Sequence, residues 1–393
     1  MPTPSENRHV GARIRGQRRL AHLTQRQLAQ RLPYSYSLLN QVECGAREAS
    51  SGFVAAVAAA LRIDISLLTE PETVTTAQHQ RLAAMVQPIR YALDLYDLSP
   101  APVQDRPPLA RLIASADTAC RQVRATRLRA AAGILPDLIT GLTHEVQTRP
   151  STDAWRALAS VYRTAHDVAL KVRYSDLAGV ALDRMGWAAE RASDPCLAAV
   201  RHYKRALVRQ ETHELGTRLI EAGHFLLADE RSREALVVTG QLHLGAVAVA
   251  ARAGDREAVA GHLAAAQGLA DQVGGEAGHV HWLSFGRTNI AIHALGARIR
   301  MRQWDDALVQ ARAIRLRSDT LTSRRARYLV DRAVVEMETG HAAASLQHLV
   351  EARRVAPEQT RYLPGTRDAI SGLVHTMRRP PEGLAHMAAW VGL

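Results

Sequence analysis

The sequence predicts an all-α protein, and three observations predict it. Helical periodicity runs along the chain, and no segment sustains the one-in-two alternation of a strand. Hydrophobic residues make up 47% of the chain but aromatics only 4%, so the core must be built from small side chains that let helices approach closely. The periodic segments are separated by short turns such as TRPST, SDP, GGEAG and APEQ, which carry the residue types that end helices. At 393 residues the chain has room for two or three domains, or for one small domain and a larger helical array.

The first unit spans residues 8 to 70. RHVGARIRGQRRLAHL places Val10, Ile14 and Leu20 near one stripe with Arg13, Arg15, Arg18 and Arg19 largely around the rest, as an amphipathic first helix requires. Thr24 stands at the N-cap of a second helix, TQRQLAQRL, because its hydroxyl can accept from an orphan amide. Pro33 closes that helix, since its ring cannot continue the ladder and it pushes the preceding residue out of α geometry. Ser35 is the N-cap of a third helix and Gly45 its end. SSGFVAAVAAALRI and DISLLTE supply a fourth and a fifth.

Beyond Pro71 the character changes. A helix around 75 to 97 runs into LSPAPVQDRPP, which reads as a linker. From Leu109 onward the pattern is helical and weakly repetitive. WRALASVY at Trp155 matches the W-x-x-L-G-x-x-Y signature of tetratricopeptide repeats with Ala159 in place of glycine. Three later pairs sixteen residues apart, Leu242 with Ala258, Ala291 with Ala307 and Tyr328 with Ala344, place a small residue where paired helices would cross. Their irregular spacing keeps a generic helical solenoid open beside the repeat reading. The expected domains are 1–72, a connecting helix and Pro-rich linker over 73–108, and a helical domain over 109–393.

Charge points to an acidic partner. The chain carries 50 basic residues against 38 acidic ones, a net +12, and all the basic residues except Lys171 and Lys204 are arginine. Nucleic acid is the first partner such a balance suggests, although the excess is spread along the chain. Three cysteines, Cys44, Cys120 and Cys196, share no metal or redox spacing, which argues against a disulfide framework and fits a reducing cytoplasm. The polar start MPTPSENRHV and the short apolar runs, such as FVAAVAAALRI, predict neither a signal segment nor a membrane span. No phosphate-binding loop, dinucleotide fingerprint or HExxH motif occurs, and HELGT at His213 lacks a second histidine. HVHW at 279–282 has no carboxylate or cysteine at ligand spacing. Neither catalytic residues nor a metal or cofactor is expected.

Residues 8 to 70 resemble the Xre-type helix-turn-helix family, to which the lambdoid phage repressors belong. Thr24-Gln25, Leu28-Ala29, Ser35, Leu39, Gln41-Val42-Glu43 and Gly45 carry the resemblance, and AVAAALRIDISLL fits the family's last two helices. Pro33-Tyr34 in the turn and Ala49 after the third helix depart from it. The resemblance implies a recognition helix in the major groove of a double-stranded operator, with Ser35, Tyr36, Ser37, Asn40 and Gln41 as base readers. It implies that Gln25 holds a phosphate and that Arg18 pairs with Glu43. Arg15, Arg19 and Arg47 are expected phosphate contacts by charge and position. The whole architecture resembles regulators in which this module precedes a tetratricopeptide-like array that dimerises and binds a signalling peptide, and the arginine- and alanine-rich composition looks actinobacterial. The expected fold is therefore a five-helix helix-turn-helix domain followed by an irregular tetratricopeptide-like α-solenoid. The expected activity is that of a homodimeric regulator whose effector is a peptide or small molecule. With Trp155 and the later anchors as phase markers, Arg156, Arg163, His243, Asn289 and His293 are the groove residues. A protein-binding scaffold that never touches DNA, and an antitoxin-like repressor, are the rival readings.

Overall fold

The computed structural model describes residues 10–63, 65, 68, 76–98, 107–208, 213–377 and 381–393. Among them are helices and turns and no strand. The head consists of α1 (Val10–Leu20), α2 (Gln25–Ala29), α3 (Tyr36–Glu43) and α4 (Ser51–Leu61). Ile14, Leu28, Leu39, Val42, Phe53, Val57 and Leu68 form its small core. Thr24 caps α2 in a reciprocal capping box with Gln27, and Ser35 and Ser50 cap α3 and α4 through their hydroxyls. α2 ends at Ala29, earlier than the proline requires. The amides of Arg31 and Leu32 bond to the carbonyls of Leu28 and Ala29, so the last turn tightens to three-residue closure before Pro33 is reached. Tyr34 in that turn packs edge-on against Phe53, with ring centroids 5.1 Å apart. The fifth helix expected over 64–70 lies outside the described residues except Ile65 and Leu68.

The body begins with α5 (Thr76–Asp94), followed by α6 (Leu109–Arg124), α7 (Leu128–Thr148), α8 (Thr152–Lys171), α9 (Ser175–Arg191) and α10 (Pro195–Val208). α11 (His213–Leu226), α12 (Arg233–Ala253) and α13 (Arg256–Val273) come next, and then a 3₁₀ turn over Val280–Trp282. The C-terminal part is α14 (Arg287–Arg300), α15 (Trp304–Ala313), α16 (Thr322–Glu338), α17 (Ala342–Val355), α18 (Pro357–Thr360), α19 (Pro364–Thr376) and α20 (Glu382–Val391). The sequence placed α5 in a connection, but Leu82, Val86, Ile89, Ala92 and Leu93 are buried in the same core as α6–α12. α5 is therefore the first helix of the body, and of the expected linker residues 99–106 lie outside the described ones. The three sequence repeats fall on the adjacent, packed pairs α12/α13, α14/α15 and α16/α17.

Two features shape the body. α12 is long and apolar enough by composition to cross a membrane, which the sequence reading did not anticipate, but 72% of its most apolar window is buried in the protein. The succession of helices also closes on itself. The α7 amide of Arg129 donates to Glu358 of α18 at 2.9 Å, and Lys171 at the end of α8 donates to Gln359. Gln359 in turn donates to the Ser323 carbonyl of α16 at 2.9 Å. The 3₁₀ turn reaches inward as well, because the Arg163 guanidinium of α8 donates to the His281 carbonyl. Its approach is fixed by Phe285, fully buried against Gly240, where a β-carbon would stand 2.1 Å from the ring.

Candidate nucleic-acid interface

The head's site grows out from a buried ion pair. Arg18 of α1 and Glu43 at the end of α3 meet through two parallel bonds, Nε to Oε1 and Nη2 to Oε2, each 2.7 Å. Nη1 donates to the Leu23 carbonyl at 2.8 Å. Both side chains are buried, and this fork-to-fork geometry is what makes a buried pair tolerable. Glu43 Oε2 also accepts from Gln25 Nε2 at 2.8 Å, and the same nitrogen lies 3.3 Å from Asn40 Oδ1. Gln25 Oε1 accepts from the Tyr36 hydroxyl at 3.3 Å. α1, α2 and α3 are thereby locked in one polar network, with the open face of α3 on its outer side.

That outer side is polar and open. Tyr36, Ser37, Asn40 and Gln41 are exposed on successive turns of α3, and Ser35 precedes them. The Ser35 hydroxyl accepts from the Leu38 amide at 3.2 Å, so its first task is to start the helix. Gln25, expected to hold a phosphate, is half-buried and engaged with Tyr36, Asn40 and Glu43. Tyr36 is 45% exposed, with its ring free to meet a groove. Arg47 is exposed beyond the end of α3. An open cleft of about 760 Å³ beside this face is lined by Arg15, Arg19, His22, Gln25 and Asn40 among others.

Arg19, the third expected phosphate ligand, points elsewhere. Its Nη1 donates to the carbonyls of Val374, at 3.0 Å, and His375, the exposed acceptors at the C-terminal end of α19. A cation at a helix C-terminus is favoured by the helix dipole as well as by the bonds. Leu20 packs into the apolar cluster of α19 and α20, so α1 joins the head to the body. Burial chiefly lowers the His375 pKa, helped by Arg15 and Arg19 and opposed by the Ser371 carbonyl. The sequence held no sign of this junction, because its partners are separated by 355 residues.

The five residues expected at an effector groove do not all converge. Arg156 is half-exposed and pairs with Asp194 at 2.8 Å. His243 stacks between His224 and His262, with centroids 4.6 and 5.3 Å away, and burial pushes its pKa down to about 4. Arg163 and Asn289 are buried, and burial pushes His293 down to about 3 with Arg324 and Arg327 adding to the shift. Arg163 faces the closed interior, where His293 lies beside Arg324, and there it joins Arg124, Asp167, Lys171, Lys204 and Arg324, none of which periodicity singled out. A signal was present in the composition, since the chain's two lysines both sit there. Asp194, Cys196, Glu234 and His281 bring potential metal-ligand atoms within 4.8 Å of one another. However, Asp194 already accepts from the Leu197 amide and from Arg156, and burial beside Glu234 and Asp194 pushes the Cys196 thiol up to about 12. A cation, Arg156, already holds that site.

No curated protein and no solved structure matches the chain. Residues 9–70 match the family model of a helix-turn-helix domain, and the capped, outward-facing α3 on its buried Arg18–Glu43 pair is the geometry such a DNA-binding domain uses.

Proposed function

We propose that this protein is a cytoplasmic transcriptional regulator of the Xre type that reads a double-stranded DNA operator as a homodimer. Its tetratricopeptide-like body senses an effector, and the protein acts by binding rather than catalysis. The observation that carries the reading is α3, whose exposed Tyr36, Ser37, Asn40 and Gln41 stand on a helix held rigidly from behind by Glu43, Arg18 and Gln25. Asn and Gln pair bidentately with adenine in the major groove, and an aromatic edge contacts a thymine methyl. Two heads would read half-sites about one helical turn, ~34 Å, apart. The junction through Arg19 and Leu20 supports control by the body, because a shift of α19 would move α1 with it.

Selection of bound sequences from random double-stranded DNA by the full-length protein, at two salt concentrations, tests this. An inverted repeat whose enrichment depends on Gln41 and Tyr36 is the expected result. Weak binding without sequence preference, lost at the higher salt, would transfer the head to the protein-scaffold reading.

A further inference from the structure

The interior of the closed body holds more positive charge than the protein neutralises. Arg163, Asp167 and Lys171 recur every four residues on α8, which aligns them along one face. Arg124 from α6 reaches Asp167 Oδ2 at 3.0 Å, and Lys204 from α10 contacts Oδ1. Arg324 from α16 is placed beside Tyr203, Arg124, Arg327 and Asp167. Five cations thus gather around the carboxylate of Asp167, and two of them already occupy both its oxygens.

Among the described residues, no carboxylate bonds to the other three. Arg163, 1% exposed, donates to the His281 carbonyl, Ser160 Oγ and Cys120 Sγ. Lys171 donates to the side-chain oxygen of Gln359. Among the described residues the Arg324 guanidinium has no hydrogen-bond partner at its buried Nε, nor have the Nε atoms of Arg124 and Arg163. On α14, Asn289 is 3% exposed with both amide atoms unpartnered, and His293 one turn on has a free Nε2. A sequestered charge without a paired counter-charge is unfavourable, and unlike the head's Arg18 these cations have no carboxylate bonded to them among the described residues.

The choice of residue fits the same physics. Forty-eight of the basic residues are arginine, yet the two lysines are both here. A guanidinium cannot shed its proton near neutral pH, whereas an ammonium can. Burial pushes Lys171 down to about 7, with Arg124, Arg324 and Lys204 adding to the fall and Asp167 opposing it. Burial likewise pushes Lys204 down to about 8, with Arg124 and Arg163 adding and Asp167 opposing. Both amines therefore hold their protons less firmly than an ordinary lysine does.

We infer that this interior binds a compact, multiply charged oxyanion, a phosphorylated or polycarboxylate small molecule, through Arg163, Lys171, Arg324, Lys204 and Arg124. The inference names the class of effector within the regulator reading above and rests on it for its biological role, though not for the binding itself. Arginine forks match phosphate and carboxylate oxygens in pairs, and an enclosed site strengthens each contact. Asn289 and His293 offer uncharged hydrogen bonds to the remainder of the ligand. An entering anion favours the charged form of both lysines, so binding takes up protons and weakens as pH rises through 7 to 8.

The test uses the full-length protein, with inorganic pyrophosphate and citrate as probes and sodium chloride at matched ionic strength as the reference. Thermal unfolding and equilibrium dialysis are measured at pH 6.5 and 8.5 for the wild type, Lys171→Gln and Arg324→Gln. Stabilisation by one or both oxyanions beyond the chloride reference, larger at pH 6.5, is expected. A response to pyrophosphate alone assigns phosphate chemistry, and a response to citrate alone assigns carboxylate chemistry. Without oxyanion each variant should melt at or above the wild type, because an uncompensated charge is gone, and its probe affinity should be about tenfold or more weaker. A merely structural role would instead lower the melting temperature. No stabilisation beyond chloride, or full retention of it in both variants, overturns the inference. Operator affinity is measured separately with and without probe. Oxyanion binding that leaves DNA affinity unchanged keeps the site and removes only the effector role.

Discussion

The head and the body both bury arginine, and they treat it in opposite ways. In the head, Arg18 is enclosed with Glu43 in two 2.7 Å bonds and passes its remaining nitrogen to a carbonyl. In the body, Arg163 and Arg324 meet neutral atoms or nothing, beside a carboxylate already shared by Arg124 and Lys204. A charge that the fold has fully answered is architecture. One that the fold has left unanswered is available to something that arrives from outside.

The comparison can be broken by removing one partner at a time. The largest effect is expected from Arg18→Met, which strands Glu43 in the head core and should destabilise the head by about 3–5 kcal/mol. The double variant Arg18→Met with Glu43→Leu should recover most of this in chemical denaturation followed by head-specific fluorescence. If the single variant proves harmless, the pair is not holding α1 against α3. Substitution of Lys171 in the body should have no such cost, which is the contrast in its sharpest form.

Smaller effects sharpen the role of the outer face. Gln41→Ala and Tyr36→Ala should each weaken operator binding by about 1–3 kcal/mol, roughly 5- to 150-fold, while circular dichroism and melting stay unchanged. Ser35→Ala should remove about 1 kcal/mol of helix stability through the lost cap, and Ser35→Asp should restore the cap while repelling DNA phosphate, so folding and binding would separate.

The smallest effect belongs to the junction. The His375 pKa is lowered in the folded protein, so the unfolded chain binds more protons between that value and about 6.5. The stabilisation from keeping His375 neutral is therefore present above about pH 6.5 and is lost as pH falls toward the folded value. Acidification should loosen the contact of α1 with α19, and Arg19→Ala should loosen it at neutral pH by about 1 kcal/mol. A head-to-body distance measured by fluorescence transfer checks both. A distance insensitive to pH and to Arg19→Ala would mean that Leu20 alone holds the junction.

What the sequence made legible follows from how local each feature is. The caps at Thr24 and Ser35 are satisfied within three residues, so residue type and spacing reveal them. Gly45 adopts φ 79° at the end of α3, a conformation that favours glycine. The helix pairs of the body were readable from apolar periodicity. The membership of α5 in the body, the contact of Lys171 with Gln359 and the bonds from Arg19 to α19 were not, because they join segments whose separation leaves no periodic trace. The polar outer face of α3 lay in the first category and the charged interior in the second. The bonds that fasten Gln25 inward lay between them, since the family resemblance gave the glutamine a phosphate-side role but could not reveal that Glu43 and Tyr36 already engage it.

The scarcity of lysine has one more consequence. Apart from the terminal amine, Lys171 and Lys204 are the only primary amines on the protein. Lys171, half-buried and with its pKa pushed down to about 7, has a far larger unprotonated, nucleophilic fraction near neutrality than an ordinary lysine. Mild acylation at neutral pH should therefore modify the centre of the body in preference to its arginine-covered surface. The protein carries its own handle for covalent labelling, at the one place where occupancy is most worth reading.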